Sequence, residues 1–209
     1  MPGPRAHDLL WVSGLPDDAS LPAWADAAWL QAAPLVVRRA RTAPGRIPVG
    51  LRGMLRSERH ACEVDAAAVV RRVTPEMLAR LAHPPLPVPS CAALDALRRV
   101  APLLDATGWA WGPTGGVGFA LASGLPVLRA DSDLDLVLRI AAPPDAAQAE
   151  ALRAIAATVT SSITACRLDL QIDTGHGGFA YAEWAAGRGR VLLKTERGPV
   201  LTAAPWELP

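Results

Sequence analysis

Two periods of apolar and polar residues run through this chain, and each marks a different kind of element. Leu9-Leu10-Trp11-Val12 is a short apolar stretch ended by the turn Ser13-Gly14-Leu15-Pro16-Asp17-Asp18. Trp24, Ala28 and Trp29 recur at helical spacing, which predicts a helix from Pro22 to about Ala33, stopped by Pro34. Two strand candidates follow, Leu35-Val36-Val37-Arg38-Arg39 and Ile47-Pro48-Val49-Gly50-Leu51, around a Thr42-Ala43-Pro44-Gly45 turn. His83-Pro84-Pro85-Leu86-Pro87-Val88-Pro89-Ser90 can continue neither a helix nor a central strand, so it reads as a linker. Beyond it Leu94, Leu97, Val100, Leu103 and Leu104 step by three and four, predicting an amphipathic helix from Cys91 to about Asp105 that Ser90 could cap. A short aromatic strand at 108–112, a strand carrying Asp133 and Asp135, a helix from Pro144 to Ser161 and strands at 166–173 and 190–195 complete the pattern. The fold class is α+β, with a small N-terminal α+β domain at 1–86 and a second domain at 87–209.

Composition narrows the functions open to such a chain. Its 209 residues are 51% hydrophobic, enough for a sizeable core, yet no apolar run approaches the roughly 18 residues a membrane helix needs. The N-terminus lacks the charged and apolar regions of a signal peptide, and Cys62, Cys91 and Cys166 fit neither a disulfide framework nor a zinc site. A cytoplasmic protein with reduced thiols is expected, with no membrane partner. A net charge of +1 argues against a wholesale basic nucleic-acid binder. The charge is uneven, however: seven arginines fall between Arg38 and Arg59, opposed only by Glu58.

Chemistry concentrates in Gly112-Pro113-Thr114-Gly115-Gly116-Val117-Gly118 and in Asp131-Ser132-Asp133-Leu134-Asp135-Leu136-Val137-Leu138. Gly115 and Gly116 allow a tight turn that brings backbone N–H groups to an anion, and a helix starting near Val117 adds the positive end of its dipole. Gly124 should cap that helix. Asp133 and Asp135 point to one face of their strand, with Leu134, Leu136 and Leu138 on the other, so the two carboxylates can share a metal. Asp169 would join them if its strand pairs beside that of Asp135, and Asp173 on the same face is a second choice. Three carboxylates suit two Mg²⁺ ions in phosphoryl transfer. Arg52, Arg56 and Arg59 stand at i, i+4 and i+7 and form one stripe if the segment after Gly53 is helical, either a solvated face or a phosphate clamp. His176, in a glycine loop, and Lys194 are further candidate phosphate contacts. Trp109 and Trp111 read as core, with base stacking as the alternative.

These motifs resemble a known family. Gly115 to Leu128 running into Asp131-Ser132-Asp133-Leu134-Asp135-Leu136 looks like the signature of the malonate decarboxylase holo-acyl-carrier-protein synthases, the phosphoribosyl-dephospho-CoA transferases. His7-Asp8-Leu9-Leu10-Trp11, Pro48-Val49-Gly50-Leu51-Arg52-Gly53, Gly177-Gly178-Phe179 and Leu192-Leu193-Lys194-Thr195 extend the likeness over nearly the whole chain. The resemblance implies a nucleotidyltransferase-like palm, a mixed sheet flanked by helices, in the C-terminal half. It implies transfer of a prosthetic group from 2′-(5″-triphosphoribosyl)-3′-dephospho-CoA to a serine of the apo acyl-carrier subunit of malonate decarboxylase, releasing pyrophosphate. Gly115 and Gly116 would bind phosphates, Asp133 and Asp135 would bind Mg²⁺, and Asp169 would be the third carboxylate. Two alternatives stand beside it: a nucleotidyltransferase using ATP or CTP on a small molecule or RNA, and a non-enzymatic binding module on the same fold.

Overall fold

The computed structural model describes residues 3–15, 20–82, 91–160 and 166–208. Two sheets organise them. The first is antiparallel throughout, built from β1 (Leu9–Val12), β2 (Leu35–Val37), β3 (Arg46–Arg52), β4 (Arg59–Asp65) and β5 (Val69–Val73) in the order β4-β3-β2-β1-β5. The second is mixed, built from β6 (Ala110–Pro113), β7 (Leu134–Arg139), β8 (Leu168–Asp173), β9 (Gly178–Ala180), β10 (Val191–Thr195) and β11 (Gly198–Thr202) in the order β11-β10-β9-β8-β7-β6. Only β7 and β8 pair in parallel. The protein is α+β, as the periodicity predicts.

Helices cover one face of the second sheet. α3 (Ala92–Ala106) and α5 (Ala146–Thr160) pack on each other and on β7 and β8, burying Leu94, Leu97, Val100 and Leu104 against Leu134, Leu136, Leu138, Leu170 and Ile172. Trp111 is buried in this core with Trp109 packed on its edge, which settles both as core residues. Leu103, counted on the apolar face from its spacing, is instead 40% exposed. The other face of this sheet is polar, with Asp135, Arg139, Asp169, Gln171 and Asp173 in register, and it meets the first sheet.

Several expectations need correction. The predicted helix from Pro22 is shorter, α1 (Ala27–Ala32), because Asp26 accepts a hydrogen bond from the Trp29 N–H and so caps a later start. The segment after Gly53 is no helix. It is the turn of a β3–β4 hairpin, closed by Gly53 N–H donating to the Glu58 carbonyl and Leu55 N–H donating to the Glu58 carboxylate. The conditional helical stripe of arginines therefore does not exist as such. β4, β5 and the short α2 (Pro75–Ala79) were not expected. The proline cluster, with Ser90 as a cap, and Pro16, Asp17 and Asp18 of the first turn lie outside the described residues. All three cysteines are unpaired, and among the described residues no helix is long and apolar enough to cross a membrane.

The two sheets are tied together by polar contacts. Asp173 pairs with Arg39 at 2.6 Å and with Arg139, and Arg139 also reaches Glu76 at 3.1 Å and the Ala6 carbonyl. His7, at φ 76°, brings its Nε2 to 2.6 Å from Gln171 Oε1, a bond that needs the proton on Nε2. Burial, then the charges of Arg39 and Arg139, push the His7 pKa from 6.5 to about 4 against the opposing pull of Gln171 and Asp173. The unfolded chain therefore binds a proton at His7 that the folded chain refuses. The stability His7 lends is full above pH 6.5 and is lost as the pH falls towards 4, at up to about 1.4 kcal/mol per pH unit. His7→Asn tolerates the positive φ and does not titrate. Urea unfolding at pH 7 and pH 5 should show the wild type losing about 2 kcal/mol more than H7N over that interval; parallel losses would mean that His7 titrates as an ordinary histidine.

Candidate active site

The β7–β8 register sets Asp135 directly beside Asp169. Both stand on the polar face, opposite the buried Leu134, Leu136 and Leu170. Asp133 lies just before β7, with Arg56 Nη2 at 3.6 Å and Arg167 Nη2 at 3.7 Å from its Oδ2. Both arginines are largely exposed, so these are weak, solvated pairs. Burial raises the Asp135 pKa, and the charges of Asp169 and Asp133 raise it further, while Arg52 and Arg167 oppose them.

Facing the carboxylates is the start of α4 (Gly115–Ser123), which begins two residues earlier than expected and ends at Gly124 in the left-handed cap conformation. Gly115 has φ 53°, and a Cβ there would lie 1.7 Å from Asp135 Oδ2, so only glycine lets the helix start against that carboxylate. The Thr114 side chain makes no capping bond, Gly115 is exposed to the cleft, and the first bond of the turn is Gly118 N–H to the Thr114 carbonyl. Arg52 lies over this terminus, its Nη2 3.3 Å from the position of a Cβ on Gly116 and its guanidinium carbon 5.5 Å from the Phe119 ring centre. Trp29 donates its indole N–H to the Arg52 carbonyl at 2.8 Å and fixes the end of β3. Burial, with Arg59 next, lowers the Arg52 pKa, and Asp135 counters them.

Arg52 and Arg59 pair directly across the hairpin, so the three arginines do gather, by strand register rather than by helical spacing. Arg52, Arg59, Gly115, Asp135 and Asp169 line one cleft of about 550 Å³ between the two sheets. Arg56, Gly116 and Asp133 join Arg52 and Asp135 around an adjoining recess of about 90 Å³. His176 and Lys194 do not line either space: His176 is exposed in the turn after β8, at the end opposite Asp169, and Lys194 is exposed on β10. Asp173 is committed to Arg39 and Arg139, which hold its carboxyl below the usual range.

Sequence reasoning did not single out His7, Arg38, His60 and Gln171 in the main cleft, or Arg129 in the recess. The arginine-rich run from Arg38 was a signal for the second of these. Arg129 carried none, since its place depends on Arg129 Nη2 reaching the Met54 carbonyl at 3.4 Å.

The cleft sets carboxylate oxygens opposite a cationic cradle. Asp135 and Asp169 side by side also fit a hard divalent cation, which would relieve the repulsion between them. Among the described residues no three Asp, Glu, His or Cys side chains converge as a ready metal cage. Mg²⁺ commonly takes one or two carboxylates and fills its other positions with water and phosphate oxygens.

The fold and the cleft thus define an α+β protein with carboxylates and arginines facing each other between two sheets. A family model described as the phosphoribosyl-dephospho-CoA transferase MdcG C-terminal domain matches residues 77–205, and one for the N-terminal domain matches residues 5–75. The chain is 46% identical to the phosphoribosyl-dephospho-CoA transferase of Pseudomonas putida strain W619 over 100% of its length and 98% of the relative's. It is 44% identical to that of Pseudomonas aeruginosa over 99% of its length and 95% of the relative's, and 44% identical to that of Klebsiella pneumoniae strain 342 over 97% and 96%. No solved structure matches. The chain belongs to the phosphoribosyl-dephospho-CoA transferase family, and it is a transferase.

The two glycines at the start of α4 should respond differently to a methyl group. Gly115→Ala must displace Asp135 and hold a strained φ, so turnover should fall about 10²-fold, as misplacement of a reacting group by about 1 Å costs. Gly116→Ala meets the flexible tip of Arg52 and, at ordinary contact distance, Leu128 Cδ2, and should lose far less. Steady-state rates of the two purified variants check this, and equal losses would contradict it.

Proposed function

We propose that this protein transfers the phosphoribosyl-dephospho-CoA group from 2′-(5″-triphosphoribosyl)-3′-dephospho-CoA to a serine hydroxyl on the apo acyl-carrier subunit of malonate decarboxylase, with pyrophosphate as the second product. Relatives at about 45% identity bear the transferase's name. The observation that carries the reading is the Asp135–Asp169 pair facing Arg52 and the α4 terminus across one cleft. Unpaired cysteines accord with a cytoplasmic setting for the reaction.

The serine oxygen bonds to the α-phosphorus as the bond from that phosphorus to the bridging oxygen breaks, and pyrophosphate leaves with that bond's electrons. Asp169, exposed on the cleft wall, accepts the serine proton. Arg52 and Arg59, beside the start of α4 at Gly115 and Gly116, hold the β- and γ-phosphates and balance the charge that builds on the leaving group. Asp135 and Asp169 would hold Mg²⁺, with Asp133 adding charge from the adjoining recess; when bound the ion neutralises phosphate charge and lowers the hydroxyl pKa. The Asp133 carboxylate exchanges loose arginine partners for this duty at little cost, because its pairs with Arg56 and Arg167 are solvated.

The direct test incubates the protein with the triphosphoribosyl donor, Mg²⁺ and purified apo carrier and weighs the carrier intact; a carrier of unchanged mass would refute the assignment. Asp135→Asn keeps the shape of the side chain and removes its charge, so turnover should drop at least about 10²-fold while the fold persists. The Asp133→Asn, Asp135→Asn double variant should be little worse than Asp135→Asn alone, because groups acting as a unit are not additive. Near-normal turnover of Asp135→Asn at saturating Mg²⁺ would remove Asp135 from the reaction.

A further inference from the structure

The cleft does not end at the carboxylates. On the far side of Arg38 a second hollow of about 550 Å³ opens between the sheets, with Arg38, Arg39, Arg41 and Asp173 in its wall. Arg38 lines both spaces and so stands at their junction. Its stem runs over Gly50, with Cδ 3.4 Å from where a side chain there would begin.

The arginines of this hollow are not equivalent. Arg39 and Arg139 share Asp173, Arg5 pairs with Glu76, and Arg46 pairs with Glu63 and Asp65. Arg38 and Arg41 have no side-chain hydrogen bond or ion pair among the described residues, and Glu196 is the one further acid in the wall. Two exposed guanidiniums beside an already balanced cluster leave the hollow with a net positive field and ten N–H donors, since each guanidinium carries five. Two neighbouring guanidiniums offer parallel N–H groups that match the oxygens of a phosphate diester or diphosphate.

The two hollows follow one another along β8. Asp169 marks the first hollow and Asp173 the second, four residues apart along β8, or about 13 Å at strand rise. We propose that Arg38 and Arg41 form a second anion subsite, which takes the diphosphate of the donor's dephospho-CoA moiety while its triphosphate lies at Arg52 and Arg59. In such a donor two linked ribose rings separate the two phosphate groups, and the Arg38 junction lies between the hollows. This assignment rests on the reading of the donor given above, but the subsite itself needs only a diphosphate.

Isothermal titration of the intact protein with three probes tests it: inorganic pyrophosphate, dephospho-CoA and inorganic tripolyphosphate. Arg38→Ala/Arg41→Ala should weaken dephospho-CoA at least about tenfold, as loss of charge-assisted contacts predicts, and leave tripolyphosphate within about threefold. Arg52→Ala/Arg59→Ala should do the reverse. Both arginines of the first pair are exposed, so the fold should survive, and thermal melting of each variant verifies it. If dephospho-CoA binds but ignores Arg38→Ala/Arg41→Ala, the subsite is overturned and the donor reading is untouched. If dephospho-CoA does not bind the wild type while pyrophosphate binds in a manner that needs Arg38 and Arg41, the subsite stands and the donor reading fails. If none of the three probes responds to either pair, both fall.

Discussion

The parallel pairing of β7 with β8 is the constraint from which the site follows. Parallel neighbours cannot be joined by a tight turn, so the chain must cross over through α5 and return in register. The register that buries Leu134, Leu136 and Leu138 with Leu170 and Ile172 also sets Asp135 beside Asp169. Each of those five side chains contributes about 1.5–3 kcal/mol on burial, so together they stabilise by roughly 10 kcal/mol. Asp135 and Asp169 repel each other across this register, one of the causes that raise the Asp135 pKa. The apolar face wins, and the repulsion persists on the other face as a standing preference for cations.

A second constraint sets what the carboxylates face. Alternation sends Leu9 of β1 into the core of the second sheet and Leu10 into that of the first, so a single strand belongs to both. The remaining seam is polar. Asp173, with Arg39 and Arg139, is buried there, and the desolvation of such a group offsets most of its Coulomb attraction. Its contribution is therefore one of position more than of net stability: it fixes how the first sheet lies on the second. That placement brings the β3–β4 hairpin, and with it Arg52 and Arg59, across from Asp135.

The carboxylates were legible in the sequence because strand alternation is a local property. Asp135 and Asp169 each sit between two leucines and Asp133 stands two residues before Asp135, and that alone tells which way they point. What alternation could not give was which partner each strand would take. The arginines show the limit of spacing as an argument. A separation of seven places Arg52 and Arg59 on one helix face, yet it also makes them cross-strand partners about a tight turn, and the Gly53–Glu58 closure selects the second. β4 and β5 were hidden by the arginines, His60 and Glu63 at their exposed and half-buried positions, which dilute the apolar signal of an edge strand. Asp173 looked like a spare ligand because its partners, Arg39 and Arg139, lie 134 and 34 positions away.

The hairpin separates an anchored cation from a loose one. Arg52 has its carbonyl held by Trp29 and its guanidinium over Phe119, whereas Arg56 is 74% exposed at a tip that also carries the exposed Met54 and Leu55. Few buried contacts hold that tip, so it belongs to the part of the structure that opens most cheaply. An anchored Arg52 has already lost its rotamer entropy on folding and meets a phosphate at little further cost, while Arg56 must be ordered by whatever it binds. Charge held by the rigid sheet and charge carried on the loose tip then do different things to a ligand. In the proposed transfer the first would hold the phosphate against Asp135 and Asp169, and the second would have to leave Asp133 before it could add to that hold.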